Sequence, residues 1–341
     1  MQADVAALEP WQEPVRGAAA DPSVLLLPGL EQLRIFMSDA AAPPISRLTG
    51  LRLTSVGAGS ATYAMPASDW LLGPKGFLHA GMLAFLADAP LGSAIITTLP
   101  PKTTLTTAEL SMTFLGEPPR GGGNLLAQGR LIHADERNAL SEVFVTDGEG
   151  RLVAHGTSRC FIFPPSDVPY VPRSERDVVV EDTPDPYLRP VPSQTTALPG
   201  DMSGLEILQA SIRNELPPPP IDVLTGLRPV EAMEGRVVFA LPASGWLMNP
   251  AGNIYGGMIA CLAKSAASGS VQTIAPAGTQ FTALDVKVNY LRPGVVGRED
   301  LVATGTVVHR GRHLAIASAE IMQGDKRIAV ATGSTTLRPP E

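Results

Sequence analysis

The chain contains itself twice, and this limits its fold more than any other feature. Pro66-Ala67-Ser68-Asp69-Trp70-Leu71 recurs as Pro242-Ala243-Ser244-Gly245-Trp246-Leu247, a shift of 242 − 66 = 176 residues. Pro74, Gly76, Gly81, Met82, Ala84, Leu86 and Ala87 meet Pro250, Gly252, Gly257, Met258, Ala260, Leu262 and Ala263 at the same shift without a gap. Upstream, Leu48-Thr49-Gly50-Leu51-Arg52 matches Leu224-Thr225-Gly226-Leu227-Arg228, and downstream His133 matches His309. Each copy is therefore a whole domain, and a chain of 341 residues has room for two cores. The sequence predicts an N-terminal extension over 1–24, domain one over 25–165, a linker over 166–198 and domain two over 199–341. Between Pro164 and Pro199 stand Pro169, Pro172, Pro184, Pro186, Pro190 and Pro192, a composition that suits an extended connector with no packed element.

Each copy repeats one order of elements. A short amphipathic helix (Leu30 to Ala40; Leu205 to Leu216) precedes a strand-like stretch, and the prolines 217–220 are expected to end the second of these helices. A glycine-rich turn then opens an apolar helix, Gly81 to Ile96 or Gly257 to Ile274. Alternating runs follow, Thr106 to Phe114 and Thr282 to Tyr290, and then Leu140 to Thr146 and Leu152 to Phe163 about the hairpin signal Asp147-Gly148-Glu149-Gly150. One apolar helix with a meander of strands implies an α+β domain, a curled antiparallel sheet around a central helix.

Charge and composition exclude several function classes. A net charge of −7 with no basic stripe argues against a nucleic-acid surface, although a few local arginines can still bind an anion such as CoA. The two cysteines, Cys160 and Cys261, have no partner at metal or redox spacing and read as reduced core residues. No stretch of roughly 18 apolar residues is present, and the opening residues lack a secretory pattern, so the expectation is a cytoplasmic protein with no membrane partner. The five histidines form no helical metal pair, and neither a nucleophile elbow nor a phosphate loop occurs. No metal and no cofactor are expected.

The glycine-rich turns carry the remaining chemistry. A helix start rich in glycine offers free N–H groups and the positive end of the helix dipole to a developing oxyanion; the plainer reading is that the glycines only allow close packing. Asp88 lies on an apolar helix, where a carboxylate is either functional or paired. It is about 10 Å along the helix from Gly81, at about 1.5 Å per residue, too far for both to act on one carbonyl. The carboxylate is therefore expected to serve the helix start of the other copy.

Asn249, Gly252, Gly256 and Gly257, with Leu86 and Asp88 of the first copy's helix, resemble the Asn-x-x-Gly-x-x-His-Gly-Gly and Leu-x-Asp pattern of the phenylacetate-pathway-type acyl-CoA thioesterases of the hotdog superfamily. The resemblance covers nearly all of both domains. It implies two tandem hotdog domains paired as an internal pseudo-dimer, with active sites between them. Carried over residue by residue, it assigns catalytic roles to Asp88, Asn249, Gly256 and Thr107, and substrate contacts to Tyr255 and Gly257. Tyr255 stands where the family usually has His, and Pro90 predicts a kink just after Asp88. The complementary site would use Gly73, Ala80, Lys264 and Ala283, which lack the amide, the carboxylate and the hydroxyl. One composite site is thus expected to work and the other to be dead. Arg292, Arg310 and Arg312 are candidates for the CoA phosphates. The function implied is hydrolysis of an acyl-CoA, CoA being part of the substrate, in a protein free to form homo-oligomers of the double unit. The alternative is a module that binds acyl-CoA or an acyl carrier without turnover.

Overall fold

The structure is a computed structural model that describes residues 8–37, 42–116, 122–166, 183–191 and 198–338. In each repeat two short helices come first, α1 (Gly29–Phe36) and α2 (Pro44–Thr49), then α4 (Gly204–Ile212) and α5 (Pro220–Thr225). The prolines at 217–220 do more than stop a helix. Pro220 takes the first position of α5, where its fixed φ suits the helix and its missing N–H costs nothing. Gly50 and Gly226 end α2 and α5 in the left-handed conformation, at φ 77° and 75°.

A hairpin follows, β1 (Arg52–Gly57) with β2 (Ser60–Pro66) and β7 (Arg228–Met233) with β8 (Arg236–Leu241). The central helices are α3 (Gly81–Ile96), at the predicted limits, and α6 (Gly256–Gln272). Helix α3 runs on through Pro90 without a break. The remaining strands are β3 (Leu105–Phe114), β4 (Asn124–Ala134), β5 (Asn138–Thr146) and β6 (Leu152–Ile162) in the first repeat. The second has β9 (Gln280–Ala283), β10 (Asp285–Tyr290), β11 (Leu301–Arg310), β12 (Leu314–Gln323) and β13 (Lys326–Arg338). Where β3 bulges between Thr107 and Glu109, the matching strand breaks at Leu284 into β9 and β10.

All the strands pair antiparallel in one sheet, in the order β1-β2-β4-β5-β6-β3-β10-β13-β12-β11-β8-β7, with β9 on β13. The two repeats join at β3 and β10, where Leu110 faces Val288. Each central helix lies on its own half-sheet and against the other helix, which explains why α3 is apolar on every side. A Cβ added to Gly81 would sit 2.6 Å from Cys261 Sγ, and one added to Gly257 would sit 2.8 Å from Phe85 Cα. The four positions are related by the repeat, since 81 + 176 = 257 and 85 + 176 = 261. The plainer reading of these glycines therefore holds for Gly81 and Gly257, with the partner being a helix rather than the sheet. The main apolar cluster draws on both repeats, and each fully buried side chain such as Phe85 or Met258 contributes roughly 1.5–3 kcal/mol.

The connector differs from expectation. Pro186–Leu188 forms a short 3-10 turn, and so does Pro10–Gln12, with 10 + 176 = 186. Trp11 covers Gly226 and Tyr187 covers Gly50. Trp246 Nε1 donates to the Glu13 carbonyl at 2.9 Å, and Trp70 Nε1 donates to the Arg189 carbonyl at 2.8 Å. The repeat thus already includes the described part of the N-terminal extension, which straps the second repeat while residues 184–191 strap the first. Glu13 and Arg189 pair at 2.6 Å where the straps meet. Proline-rich composition signals a lack of helix and ladder bonds, but an extended segment can still bury an aromatic side chain and cap an indole. Residues 167–182 and 192–197 of the expected linker lie outside the described residues. Trp11→Ala is expected to cost about 2 kcal/mol, below the value for a fully buried tryptophan because Trp11 is only half-buried; denaturant unfolding measures it.

Candidate active site

Crossing α3 over α6 carries Asp88 to the start of the other repeat's helix. A Cβ at Gly256 would lie 2.9 Å from Asp88 Oδ2, and the Gly257 N–H donates to the carboxylate. Asp88 is half-buried on an otherwise apolar helix face. Burial pushes its carboxyl up to about 7 against the smaller, opposing pull of the Gly257 N–H. At neutral pH the group is therefore close to half ionised, the condition that suits a general base. The Gly256 N–H makes no hydrogen bond among the described residues.

Three tyrosines surround this carboxylate. Tyr255 donates its hydroxyl to the Phe85 carbonyl at 2.9 Å, its ring set edge-on to Phe85 with centroids 4.9 Å apart. Tyr290 donates to the Gly256 carbonyl at 3.0 Å, and the Tyr63 hydroxyl lies 2.9 Å from Ser93 Oγ. Burial first, with the charge of Asp88 added to it, raises all three phenols, that of Tyr63 to about 12. They stay neutral across the working range of most enzymes. Thr107 sits at the β3 bulge with its hydroxyl on the thiol of Cys160, which burial raises to about 11 and which senses the charge of Asp88. No hydrogen bond between Thr107 and Asp88 is formed among the described residues.

At the related place, Lys264 replaces Asp88, Phe239 replaces Tyr63, Phe114 replaces Tyr290, Ala283 replaces Thr107 and His79 replaces Tyr255. His79 Nδ1 lies 3.6 Å from Cys261 Sγ and Nε2 lies 3.4 Å from Ser265 Oγ. Burial, and secondarily the charge of Lys264, hold this imidazole well below its usual range. Burial also brings the Lys264 ammonium down to about 8. Among the described residues no group of three or more His, Cys, Asp or Glu side chains is placed to hold a metal ion.

The other expected residues fall in different places. Asn249 shapes its own loop, its Oδ1 accepting from the Asn253 N–H at 3.1 Å, and it touches neither Asp88 nor Gly256 through a hydrogen bond. Tyr255 and Gly257 are buried where α6 crosses α3. Arg292 is exposed two residues beyond Tyr290, in the loop after β10, which is bonded to the loop before α6 by the Ile254 N–H donating to the Gly294 carbonyl at 2.9 Å. Arg310 and Arg312, by contrast, belong to the hairpin of β11 and β12. Arg310 faces Ala315, Ala315 faces Thr335 and Thr335 faces Ala283, which puts it roughly 15 Å from Ala283, at about 4.8 Å per strand, on the side of the second pocket. Sequence order cannot tell which end of an antiparallel hairpin meets which pocket. Tyr63 and Tyr290 were not expected, yet comparing the copies at the 176-residue shift finds them by the same asymmetry that marks Asp88.

The profile of the thioesterase superfamily matches this chain twice, over residues 75–154 and 251–330, and 251 − 75 = 176 is again the repeat shift. Both repeats belong to the thioesterase superfamily. Among solved structures, the fold of the chain is similar to that of an acyl-CoA thioesterase II from Mycobacterium marinum, with 12% identity, TM-score 0.51 and coverage of 87% of this chain and 99% of that one. It is also similar to a hot dog fold protein of unknown function from Alicyclobacillus acidocaldarius (11% identity, TM-score 0.53, 88% and 100% covered). A candidate thioesterase from Novosphingobium aromaticivorans is a third such neighbour (16% identity, TM-score 0.54, 84% and 98% covered). At these identities the likeness speaks for the fold alone, a tandem double hotdog. No curated protein matches the chain. No helix of the described residues is long and apolar enough to cross a membrane.

Proposed function

We propose that this thioesterase-superfamily chain hydrolyses an acyl-CoA at one composite site, built from Asp88 of the first repeat and the start of α6 in the second. The observation that carries the proposal is the half-buried carboxylate held against another repeat's helix start, while the related position holds Lys264. The thioester carbonyl oxygen is received by the free Gly256 N–H at the positive end of the α6 dipole. Asp88 takes a proton from a water molecule as the water oxygen bonds to the carbonyl carbon. The tetrahedral intermediate then expels the thiolate, the C–S bond breaks, and the proton held by Asp88 goes to the thiolate. A carboxyl near 7 suits the role of base, because a base works best when its affinity for protons matches the medium. Tyr255 and Tyr290 hold Gly256 in register with Phe85 and so fix the oxyanion position. Arg292, exposed and with its guanidinium donating to the Arg327 carbonyl at 3.0 Å, is the residue we assign to a CoA phosphate. The reaction needs only water, so no cofactor enters.

A panel of acyl-CoA esters assayed for released thiol tests this reading, with Asp88→Asn as control. Turnover abolished in the control supports it, whereas tight binding of acyl-CoA with no release from the wild type marks a binding module instead. Asn249→Asp separates two roles of one residue. The variant keeps the oxygen that accepts from Asn253 but loses the amide donor, so stability is expected to stay within about 0.5 kcal/mol. If Asn249 contacts substrate, turnover falls by about 10²-fold, the usual cost of one lost donor. Unchanged turnover in Asn249→Asp would leave Asn249 a loop residue only.

A further inference from the structure

The second composite pocket inverts the first. Lys264 occupies on α6 the position that Asp88 occupies on α3, half-buried, and its ammonium donates no hydrogen bond to, and forms no ion pair with, any described residue. Where the first pocket places the hydroxyls of Tyr63 and Tyr290, the second has the bare rings of Phe239 and Phe114, and Ala283 stands in for Thr107. The imidazole of His79 is occupied by Ser265 and Cys261. Lys75 lies nearby with its ammonium 3.6 Å from the centre of the Phe281 ring, adding a second positive charge that Lys264 senses. Among the acidic groups, Asp222 acts on the neighbouring Cys261. Burial first, then the charge of Glu9, push its carboxyl well above the usual carboxylate range.

A half-buried ammonium keeps only part of its hydration, and apolar walls around it offer no counter-charge in exchange. A ligand that brings one negative charge to the ammonium and an apolar body to the phenyl rings suits both. The location settles which anion this is. Lys264 lies where Asp88 meets the acyl carbonyl in the proposed site, not at the rim where a nucleotide phosphate would lie. We infer that the second pocket binds a free carboxylic acid, its carboxylate on Lys264 and its alkyl or aryl chain between Phe114 and Phe239. The inference rests on the proposed function only for where the acyl group sits.

Calorimetric titration of the full-length protein with straight-chain carboxylates from butanoate to dodecanoate, and with phenylacetate, tests it. At least one acid is expected to bind one-to-one, at least tenfold more tightly than the primary alcohol of the same skeleton. Lys264→Met is expected to weaken that acid at least tenfold while thioester hydrolysis stays near wild type. The comparison with the alcohol uses the wild-type protein and so stands even if Lys264→Met misfolds. Equal affinity for acid and alcohol, unchanged affinity in a folded Lys264→Met, or no binding by any acid below millimolar concentration each overturn the inference. Hydrolysis measured on the same preparations separates the two readings. An inactive protein that still binds the acid through Lys264 defeats the hydrolase reading alone, and an active one indifferent to Lys264 defeats the carboxylate site alone.

Discussion

Asp88→Asn is expected to lower turnover by about 10²–10⁴-fold, the range for a positioned base, and at the same time to make the protein more stable above neutral pH. The second effect follows from the same burial that sets up the first. The folded carboxyl titrates at about 7, whereas an aspartate in an unfolded chain titrates near about 3.9. Below about pH 4 both forms are protonated and burial costs nothing. Between about pH 4 and pH 7 the unfolded chain ionises and the folded one does not, so stability falls as pH rises, and above about 7 the loss is complete. About three pH units correspond to a few kcal/mol, and partial access of solvent reduces this to on the order of 2–4 kcal/mol. Asparagine keeps the shape and still accepts from the Gly257 N–H, but it cannot ionise. Its unfolding midpoint should therefore exceed that of the wild type at pH 8 and merge with it near pH 4. The wild-type rate should drop tenfold per pH unit below about pH 7, where the base is protonated. A variant that keeps its turnover, or one that is less stable than the wild type at pH 8, would show that the carboxylate only caps α6. Lys264→Ala, at the related position, should leave turnover near wild type.

Gly257→Ala is expected to destabilise the fold by at least about 1–3 kcal/mol and to remove most of the activity, although it adds a single methyl group. That methyl would lie 2.7 Å from the Phe85 carbonyl oxygen and 2.8 Å from its Cα, and backbone atoms inside a helix cannot turn aside. The helices must separate, and Asp88 follows Phe85 along the same helix by less than one turn. The carboxylate then leaves the start of α6, and the Tyr255 hydrogen bond to the Phe85 carbonyl lengthens. Gly92, also in α3, provides the contrast. Nothing lies within 4 Å of a Cβ added there, so Gly92→Ala should stabilise by about 0.5–1 kcal/mol through lower chain entropy and better helix propensity. Equal stability of both alanine variants in urea would contradict the close crossing. Gly81→Ala should destabilise as Gly257→Ala does, since its methyl would meet Cys261 Sγ at 2.6 Å, but with less effect on turnover because it opens the second pocket.

Much of this architecture could be read without coordinates. The repeat, the limits of α3, the α+β class and the asymmetry of Asp88 against Lys264 are properties of residue order, and the physical chemistry behind them is local. Apolar runs with a helix period bury themselves, glycine permits turns and close approach, and a carboxylate on an apolar helix requires a reason. Elements that depend on a partner far along the chain were less legible. The straps at Pro10–Gln12 and Pro186–Leu188 have neither helix nor strand periodicity, and only docking onto Trp246 and Trp70 gives them a place. The break at Leu284 arises where β9 and β10 both lie along β13 while β10 also joins the other repeat.

Residue order alone determined that two related domains exist, that each has a central apolar helix, and that their chemistry is unequal. The tertiary structure decided which groups of the two domains meet. Asp88 reaches Gly256 because the sheets join at β3 and β10 and because Gly81 and Gly257 let two helices touch without side chains between them. The Tyr255 hydroxyl ends on the Phe85 carbonyl of the opposite repeat, while that of Tyr290 ends on the Gly256 carbonyl of its own, beside Asp88. Arg310 and Arg312 fall to the other pocket because an antiparallel hairpin carries its tip across the sheet. Local periodicity reports how each segment buries its own surface. It says nothing about the position of a surface a hundred residues away, and a site shared between two repeats is made of such pairs.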